Sequence, residues 1–320
     1  MKAGSLVPWC CPECRIPLKA EKTGAVDSVL LLCPSCSAVF PVREGVPRFA
    51  GDFDSRTQRN FGQSWHFFHN IYENQSADFI DWLHPVQQDF FAGKLVLDAG
   101  AGTGMHALFA SSFGAREVQA IDLSSAVEVA FHKTRSAGNV QVSQADIYRP
   151  PFAPESFDYI YSIGVLQHLP DHAAALKSLW SLLKKGGHLS VWVYGREGTL
   201  FVRLFIEPLR YFFRLLPPRL AYALAWPPAM LFFLATKSAA LLGKVPFLRR
   251  IMPMADYLVY MAGFPFKYQH NSVYDQLIAP RSYFFRRAEL EKMFAELGAR
   301  ETTISNRNGM SWRVLAAKPL

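Results

Sequence analysis

The amino-acid sequence predicts a doubly wound α/β fold of seven strands with two additions, a small cysteine-rich lobe at the start and a hydrophobic helical insertion near the end. Residues 96–104, VLDAGAGTG, have the pattern of a buried strand that runs into a glycine-rich turn and then a helix. Strand and helix patterns alternate from there to residue 195, which is typical of a parallel sheet with right-handed crossovers. Two C-x-x-C pairs lie within the first 36 residues, outside that alternation.

The glycine-rich turn predicts a ligand site. Three glycines follow the strand at alternate positions, Gly100, Gly102 and Gly104. Glycine lets the backbone turn tightly and approach a ligand closely. A ligand here would lie at the carboxyl end of a strand and the amino end of the next helix, predicted over 105–113, where doubly wound sheets bind nucleotides. Met105 stands where the dinucleotide fingerprint G-x-G-x-x-G needs its third glycine, so we expect neither NAD nor FAD.

Four more strands and their loops extend this pattern. They are predicted at 117–124, at 140–143, at 157–162 and within 182–195. The second strand ends in Asp122, whose carboxylate can accept hydrogen bonds from both hydroxyls of a ribose, and the third leads to Asp146. The helix before the fifth strand is expected to end at Gly186 and Gly187. The result is a Rossmann-like sheet.

The C-terminal end supplies a last helix and two strands. Residues 286–298 place apolar side chains on one helical face and end on Gly298. Residues 299–306 and 311–318 alternate like two strands, and the Asn and Gly residues between them suit a hairpin. These two strands bring the predicted sheet to seven.

Taken in this order, the patterns resemble the class I S-adenosylmethionine-dependent methyltransferases. The matched motifs are VLDxGxGxG, an acidic residue ending the second strand, AD after the third, FDxIxSxxVLxHL and LLKPGGxL, with Lys185 in place of the usual Pro. The resemblance covers residues 93–195 and 280–320. In that family an antiparallel hairpin completes the sheet.

The resemblance implies S-adenosylmethionine as cofactor. It places Asp98 and the three glycines at the methionine part, Asp122 at the ribose, and Asp146 with Ile147 at the adenine. The implied cofactor-binding residues are Asp98, Gly100, Gly102, Gly104, Asp122, Leu123, Asp146, Ile147 and Ser162. For Asp146 a turn or helix-capping role is the alternative.

The N-terminal lobe has the spacing of a zinc ribbon. Its two knuckles are Cys11-Pro-Glu-Cys14 and Cys33-Pro-Ser-Cys36, and four thiolates so spaced can bind one tetrahedral ion. Four ligands leave no open position, so we expect structural zinc, with Cys10 as a bystander or alternative ligand. Two disulfides in a secreted protein are the alternative, which the lack of a preceding signal peptide disfavours. The lobe resembles the zinc-ribbon family related to tRNA-methyltransferase activator subunits, which also occurs fused to bacterial methyltransferases.

Most of the net charge lies in the insertion. The chain has 320 residues and a net charge of +8, and residues 196–250 contain nine basic and two acidic residues. Arg203, Glu207, Arg210 and Arg214 share one helical face, with apolar residues making up much of the rest. Such a basic amphipathic helix is typical of a membrane-surface or lid element.

Three interpretations of the insertion stay open: a lid over an apolar acceptor pocket, an element that contacts a membrane surface through 199–250, and a homodimer surface. Residues 220–236 carry no charge, but Pro227 and Pro228 interrupt the run. A spanning helix there would separate the closing hairpin from its sheet, so we do not expect one. Composition fits a cytoplasmic enzyme, peripheral on the inner face of the membrane if the insertion contacts lipid.

Several side chains are candidates for substrate binding and proton transfer. His168, in the loop after the fourth strand, is the first candidate general base and His270 the second. For His168 the alternative is a buried histidine that bonds to backbone near the cofactor. The candidate acceptor contacts are Gln63 and Trp65 in the aromatic segment before the core, and Tyr268 and Tyr274 after the insertion. Core packing is the alternative for Gln63 and Trp65.

The sequence therefore predicts methyl transfer to a hydrophobic small molecule or lipid-like acceptor, on oxygen or carbon rather than nitrogen. One alternative is an rRNA or tRNA base methyltransferase. The basic residues lie in an apolar insertion, which disfavours it because nucleic acid binds polar basic surfaces. The other alternative is a non-catalytic protein that binds the cofactor and recruits partners. The predicted domains are a ribbon (1–50), an aromatic helical linker over the cofactor site (51–92), the core (93–195 and 266–320) and the insertion (196–265).

Overall fold

The computed structural model describes residues 5–22, 29–50, 76–213, 215–279 and 282–320. These form a central sheet covered by helices on both faces, a small sheet that carries the cysteines, and a group of helices inserted after the fifth strand of the central sheet. The helices are α1 (Ser76–Leu83), α2 (Met105–Ser112), α3 (Ala126–Thr134), α4 (His172–Leu182), α5 (Glu207–Phe213), α6 (Pro218–Leu224), α7 (Trp226–Leu242), α8 (Pro246–Ile251), α9 (Ala255–Met261), α10 (Phe266–Ile278) and α11 (Arg287–Glu296).

The described residues form one small antiparallel sheet of four strands and one mixed sheet of seven strands. In chain order the strands are β1 (Lys19–Lys22), β2 (Val29–Leu32), β3 (Val39–Arg43), β4 (Val46–Pro47), β5 (Leu95–Ala99), β6 (Glu117–Asp122), β7 (Val140–Gln144), β8 (Phe157–Ile163), β9 (Leu183–Tyr194), β10 (Glu301–Arg307) and β11 (Ser311–Ala317). The central sheet has the order β10-β11-β9-β8-β5-β6-β7. Its last five members are parallel, and β10 and β11 add an antiparallel hairpin. The predicted doubly wound sheet of seven strands is confirmed.

One predicted boundary is wrong. The helix α4 ends at Leu182, four residues before Gly186, and β9 begins at once. The C-terminal residues explain the difference, because the Gly186 N–H lies 3.2 Å from the Lys318 carbonyl oxygen and the Lys318 N–H donates to the Gly187 carbonyl. Segment 183–187 therefore joins the sheet rather than the helix.

The cysteine-bearing sheet, β1 to β4, lies against the open edge of the central sheet. Arg48 forms a parallel bridge with Gln144 of β7, and the Phe49 N–H donates to the Gln144 carbonyl oxygen at 2.8 Å. The Arg48 guanidinium also pairs with Glu128 of α3 at 3.2 Å. The small sheet thereby covers the edge strand β7, which would otherwise expose unpaired backbone groups.

The insertion between β9 and α11 begins with a π-helical turn, Val202–Ile206, and continues through α5 to α10. Its centre is α10, which packs against α5, α6 and α7. Pro227 and Pro228 occupy the first turn of α7, where proline fits a helix, so they start that helix rather than break it. The polar face predicted for Arg203 to Arg214 turns inward at Arg210, which is 5% exposed; Arg214 lies outside the described residues.

Candidate functional site

The crevice of the central sheet lies between β5 and β8. These two parallel strands are neighbours, yet the chain leaves β5 toward β6 and leaves β8 toward β9, in opposite directions across the sheet. In open α/β sheets ligands bind at this switch point, beyond the carboxyl ends of the strands. Gly100 follows β5 with φ +92°, and Gly164 follows β8 with φ +73°. Both loops need the left-handed backbone that glycine adopts without strain.

The Asp122 carboxylate holds the glycine-rich loop after β5. Its Oδ2 accepts the Gly102 N–H at 2.9 Å, and its Oδ1 accepts the N–H and the hydroxyl of Ser124 at 2.8 and 2.7 Å. Three donors thus orient one carboxylate at the carboxyl end of β6. This is where the sequence predicts a ribose contact, and the loop and the acid are brought together as predicted.

Gly100 leaves no room for a side chain. A Cβ at this position would lie 2.2 Å from Cγ2 of Val165, in the loop after β8. At the switch point the Val165 side chain therefore packs directly on the bare backbone of Gly100. A Cβ on Gly104, the residue before α2, would press on Ala130 and Thr134 of α3 at 3.0 Å, so this glycine allows α2 and α3 to pack closely.

Asp98 is a buried carboxylate beneath the crevice. It is 1% exposed and lies in register with Tyr161 of β8. Burial, together with the charge of Asp122, raises the pKa of Asp98 to about 8, against the effect of the Tyr161 hydroxyl. Its Oδ2 has no hydrogen-bond partner among the described residues. A cation brought to this oxygen would satisfy it, and an ammonium group such as that of an amino acid fits.

The other predicted cofactor residues surround the same strand ends. The Ser162 hydroxyl is fully buried and donates to the Ala99 carbonyl oxygen at 2.9 Å, which joins β8 to β5. Asp146 accepts the Tyr148 N–H at 2.9 Å and so forms a turn after β7. Ile147 is buried in the core beside that turn, and Leu123 is half-buried after Asp122. The turn role of Asp146 is present, and a contact with adenine stays a prediction.

Polar and aromatic side chains gather on the other side of the crevice, at the ends of β8 and β9. His168 lies in a short 3-10 helix, with its ring perpendicular to that of Tyr194 at 5.8 Å between centroids. Gln167 is fully buried, and neither side-chain amide atom has a hydrogen-bond partner among the described residues. Sequence reasoning missed Gln167 and Tyr194, although Gln167 adjoins the predicted base.

Tyr194 also connects the sheet to the insertion. The Gln276 amide of α10 donates to its hydroxyl at 2.7 Å, and the Arg210 guanidinium donates to the Gln276 carbonyl and side-chain oxygens, both at 2.6 Å. Burial raises the pKa of Tyr194, while Arg210, Gln276 and Gln167 each oppose the rise. A distant arginine is thereby built into the wall of the crevice, which no local sequence pattern signals.

The structure does not place His270, Tyr268 and Tyr274 with His168. His270 stacks between Tyr222 and Phe266, with Nε2 3.2 Å from the Tyr222 carbonyl oxygen. Burial lowers its pKa, so the ring is neutral near pH 7. Tyr268 stacks on Phe264, and Tyr274 lies edge-on to Tyr222 within the buried core of the insertion. All three side chains thus pack within the insertion, and their predicted roles in proton transfer and acceptor binding stay predictions. Gln63 and Trp65 lie outside the described residues.

The described part of the aromatic segment, α1 and the turn after it, packs beside the carboxyl ends of the strands. Phe79 of α1 stacks on His106 of α2 at 5.1 Å between ring centroids and lies edge-on to Tyr161. Burial lowers the pKa of His106 to about 4. Two acids of α1 tie it to the hairpin, since Asp81 pairs with Arg307 at 2.5 Å and with Arg313 at 2.8 Å, and Asp78 pairs with Arg307 at 3.6 Å.

The four predicted metal ligands form one cluster. Their Sγ atoms all lie within 4.8 Å of one another, with Cys11 3.6 Å from Cys36 and Cys14 3.4 Å from Cys33. Zn–S bonds of about 2.3 Å in a tetrahedron separate the sulfurs by about 3.8 Å, so the donor set and its spacing fit zinc. Cys10 is not part of this cluster; it is buried toward the core, where its N–H donates to the Pro151 carbonyl oxygen.

Comparison with known proteins gives the domain family. Residues 97–191 match the family model described as methyltransferase domain. The ubiquinone biosynthesis O-methyltransferase of Xanthomonas campestris pv. campestris is 34% identical over 146 residues, 42% of this chain and 59% of that protein. The demethylmenaquinone methyltransferase of Staphylococcus aureus is 38% identical over 112 residues, 33% of this chain and 46% of that protein.

A further relative and a solved structure show the same partial coverage. The phosphoethanolamine N-methyltransferase 2 of Caenorhabditis elegans is 34% identical over 148 residues, 39% of this chain and 33% of that protein. A solved structure of the Haemonchus contortus phosphoethanolamine N-methyltransferase 2 with S-adenosyl-L-methionine has 16% identity and a TM-score of 0.49, and the match covers 88% of this chain and 62% of that one. The chain thus spans a third to three fifths of the curated relatives described here.

Proposed function

Because the chain carries a class I S-adenosylmethionine-dependent methyltransferase domain, we propose that it transfers a methyl group from S-adenosylmethionine to a hydrophobic acceptor, on oxygen or carbon. The observation that carries the proposal is the crevice at the switch point. There a bare glycine turn, the oriented Asp122 carboxylate and the orphaned Asp98 oxygen lie together. The glycine turn lets the ligand approach the backbone closely. The Asp122 carboxylate suits ribose hydroxyls, and the Asp98 oxygen suits an ammonium group.

When bound, S-adenosylmethionine supplies a methyl group on a positively charged sulfur. Asp122 and the loop it holds would bind the ribose, and Asp98 the ammonium group. The protein's main task is then to align acceptor and methyl carbon in a dry pocket, because an in-line displacement needs position more than covalent help. Burial of the groups around the crevice supports that role.

The acceptor is assigned to the crevice wall formed by Gln167, His168 and Tyr194. A hydroxyl acceptor loses its proton as its oxygen bonds to the methyl carbon, and His168 is positioned in this wall to take that proton. Among the described residues neither amide atom of Gln167 has a hydrogen-bond partner, so both are available to a polar group on the acceptor. The ring centroids of Trp192 and Phe284 lie 5.6 and 5.8 Å from that of Tyr194, and these aromatic rings favour an apolar acceptor body. The similarity to a ubiquinone biosynthesis O-methyltransferase and a demethylmenaquinone methyltransferase agrees with such an acceptor.

A methyl-transfer assay tests this function. Purified protein and S-adenosylmethionine with a tritiated methyl group are incubated with an organic-solvent extract of lipids and quinols, or with total RNA. We expect label in the organic phase from the extract and none in RNA.

The His168→Ala variant should lose at least tenfold in kcat with unchanged affinity for S-adenosylhomocysteine. Label in RNA alone would contradict the acceptor class, and near-normal turnover of His168→Ala would exclude this histidine as base.

We also propose that the cysteine cluster binds one structural zinc ion. Small lobes of this size have too little core to fold alone, and structural zinc contributes on the order of 10 kcal/mol in such modules. Metal analysis should find one zinc per chain. After chelation, hydrogen exchange should become fast in β2 and β3 and stay slow in β8. Loss of turnover with exchange in the lobe unchanged would contradict a structural role.

A further inference from the structure

The insertion exposes most of the large apolar side chains found on the surface of the described residues. Of 23 such exposed side chains, 18 lie between Leu200 and Ile251. Leu231, Leu241 and Phe247 are each about two-thirds exposed. A monomer in water does not normally expose so many large apolar side chains in one part of its fold, and exposed apolar surface of this kind marks contact with a partner or a membrane. We call these 18 exposed side chains of the insertion the apolar face: Leu200, Phe201, Leu204, Phe205, Leu209, Tyr211, Phe212, Leu215, Leu220, Leu224, Trp226, Leu231, Leu234, Leu241, Leu242, Val245, Phe247 and Ile251.

The interior of the insertion contains buried polar contacts beside an apolar core that includes Phe213 and Leu277. The Thr236 hydroxyl donates to the Gln269 side-chain oxygen at 3.0 Å, and Arg210 is buried on Gln276. These polar contacts join α7 and α5 to α10, although polar side chains ordinarily face water. The same helices expose many of their apolar side chains.

The apolar face carries positive charge at its borders. Arg219, Lys244 and Arg250 are exposed beside it. Arg249 and Arg250 line a cleft of about 510 Å³ between α8, α9 and the β10–β11 turn, close to the exposed Phe247 and Ile251. Arg249 is paired with Asp256, whereas Arg250 has no ion-pair partner among the described residues. A surface that is apolar and bordered by cations complements a bilayer with anionic headgroups.

The helices lie along this surface rather than crossing a membrane. The stretch Pro218–Leu242 is long and apolar enough to span a bilayer, and only 22% of its most apolar window is buried. However, α7 is fixed to the rest of the insertion, since the Lys237 ammonium donates to the Ala262 carbonyl oxygen at 2.7 Å and Thr236 contacts Gln269. A helix held along its length against α9 and α10 can insert one side only.

From these observations we infer that the apolar face of the insertion binds the surface of an anionic lipid bilayer as a monotopic, non-spanning element. A second copy of this chain is the other apolar partner to consider, but it would bring two equally basic borders together, and like charges repel. The inference does not depend on the proposed methyl transfer. Because α10 contacts Tyr194 through Gln276, binding to a bilayer would bring the crevice wall close to apolar molecules dissolved in the membrane.

Vesicle flotation tests the inference. Purified full-length protein is mixed with phosphatidylcholine vesicles, or with vesicles that also contain 30% phosphatidylglycerol, at two salt concentrations. We expect binding to the anionic vesicles at least tenfold tighter than to neutral ones, since each basic residue near such a surface contributes about 1 kcal/mol, or about fivefold. Raising the salt concentration should reduce the difference because the charges are screened.

Three variants separate the contributions. The triple variant Leu231→Ser, Leu241→Ser and Phe247→Ser should lose at least tenfold in vesicle affinity. The pair Lys244→Gln and Arg250→Gln should lose the preference for anionic vesicles. Val39→Ser, which changes a half-exposed apolar residue in β3 of the ribbon, should bind like the unchanged protein. Circular dichroism and S-adenosylhomocysteine binding report whether each variant is folded.

Two flotation results would overturn the inference. In the first, the unchanged protein floats with neither type of vesicle. In the second, the triple variant binds vesicles as tightly as Val39→Ser does. If sedimentation instead shows a dimer that the triple variant converts to monomer, with no flotation, the apolar face binds a second copy of this chain.

Discussion

The two sides of the crevice are built in different ways. On the β5–β6 side, local stretches of sequence supply the groups: a glycine turn, the acid at the end of β6, and the buried acid of β5. On the β8–β9 side, the wall is assembled from distant parts of the chain, since Tyr194 reaches Arg210 only through Gln276. The first side depends on short motifs, and the second depends on contacts between residues far apart in the chain. We infer that the first side determines the donor and the second the acceptor.

Replacing Gly100 by Ala should damage the β5–β6 side most. The new Cβ would lie 2.2 Å from Val165, and φ of +92° is unfavourable for alanine. Strain of this kind costs about 1–3 kcal/mol, so we expect about a 100-fold loss of S-adenosylhomocysteine affinity by calorimetry. Gly93→Ala is the matched control, because Gly93 has φ +72° with no atom within 4 Å of its added Cβ. It should lose stability but retain affinity. Equal loss in both variants would show that strain, and not the contact between the loops, limits binding.

His106 should make stability depend on pH on the same side of the crevice. Its pKa in the folded protein is about 4, below the ordinary 6.5. The unfolded chain therefore binds the proton first, so the stabilisation is present above pH 6.5 and is lost as the pH falls toward 4. We expect about 2 kcal/mol less stability from this group at pH 5 than at pH 7, measured by urea unfolding. His106→Leu should remove that part of the pH dependence, and the exposed His132→Gln should not. Indistinguishable pH profiles would contradict the burial of His106.

Asp98 should couple cofactor binding to proton release. With a pKa of about 8 the carboxyl is mostly protonated at pH 7, and an ammonium group beside it would favour the ionised form. Binding of S-adenosylhomocysteine should then release a proton and tighten by up to about tenfold per unit between pH 6 and 8. Calorimetry in two buffers of different ionisation enthalpy measures the released proton. In Asp98→Asn the release should vanish, and release that persists there would assign the proton to another group.

Arg210 should affect only the acceptor side. Arg210→Met keeps much of the side-chain volume but removes both hydrogen bonds to Gln276, so Tyr194 loses its support from the insertion. We expect about a fivefold loss of kcat/KM for the acceptor, equivalent to one hydrogen bond of about 1 kcal/mol, with S-adenosylhomocysteine affinity unchanged. Arg219→Met, which changes an exposed arginine of α6, is the control. A drop in cofactor affinity in Arg210→Met would show that the two sides are not independent.

The sequence could predict the features that depend on neighbouring residues, and it could not predict those that depend on contacts between distant parts of the chain. The sheet, the hairpin and the grouping of the glycine loop with Asp122 could be predicted because each depends on residues near one another in the chain. The end of α4 could not, since residues 318–319 draw Gly186 into the sheet. The inward turn of Arg210 could not either, because helical periodicity shows that a face is polar but not which way it points. His270 matched the chemistry of a base, yet its surroundings in the insertion make it a packing residue.

The most direct test of the account is calorimetry of S-adenosylhomocysteine with the unchanged protein and with Asp122→Ala. The Asp122 carboxylate is held by three donors and is assigned two ribose hydroxyls, and hydrogen bonds to a charged group contribute about 1.5–3 kcal/mol each. The account predicts one site per chain in the unchanged protein and at least a 100-fold loss of affinity in a folded Asp122→Ala variant. Absence of binding to the unchanged protein, or equal affinity in both, would contradict the assignment of the crevice as the methyl-donor site.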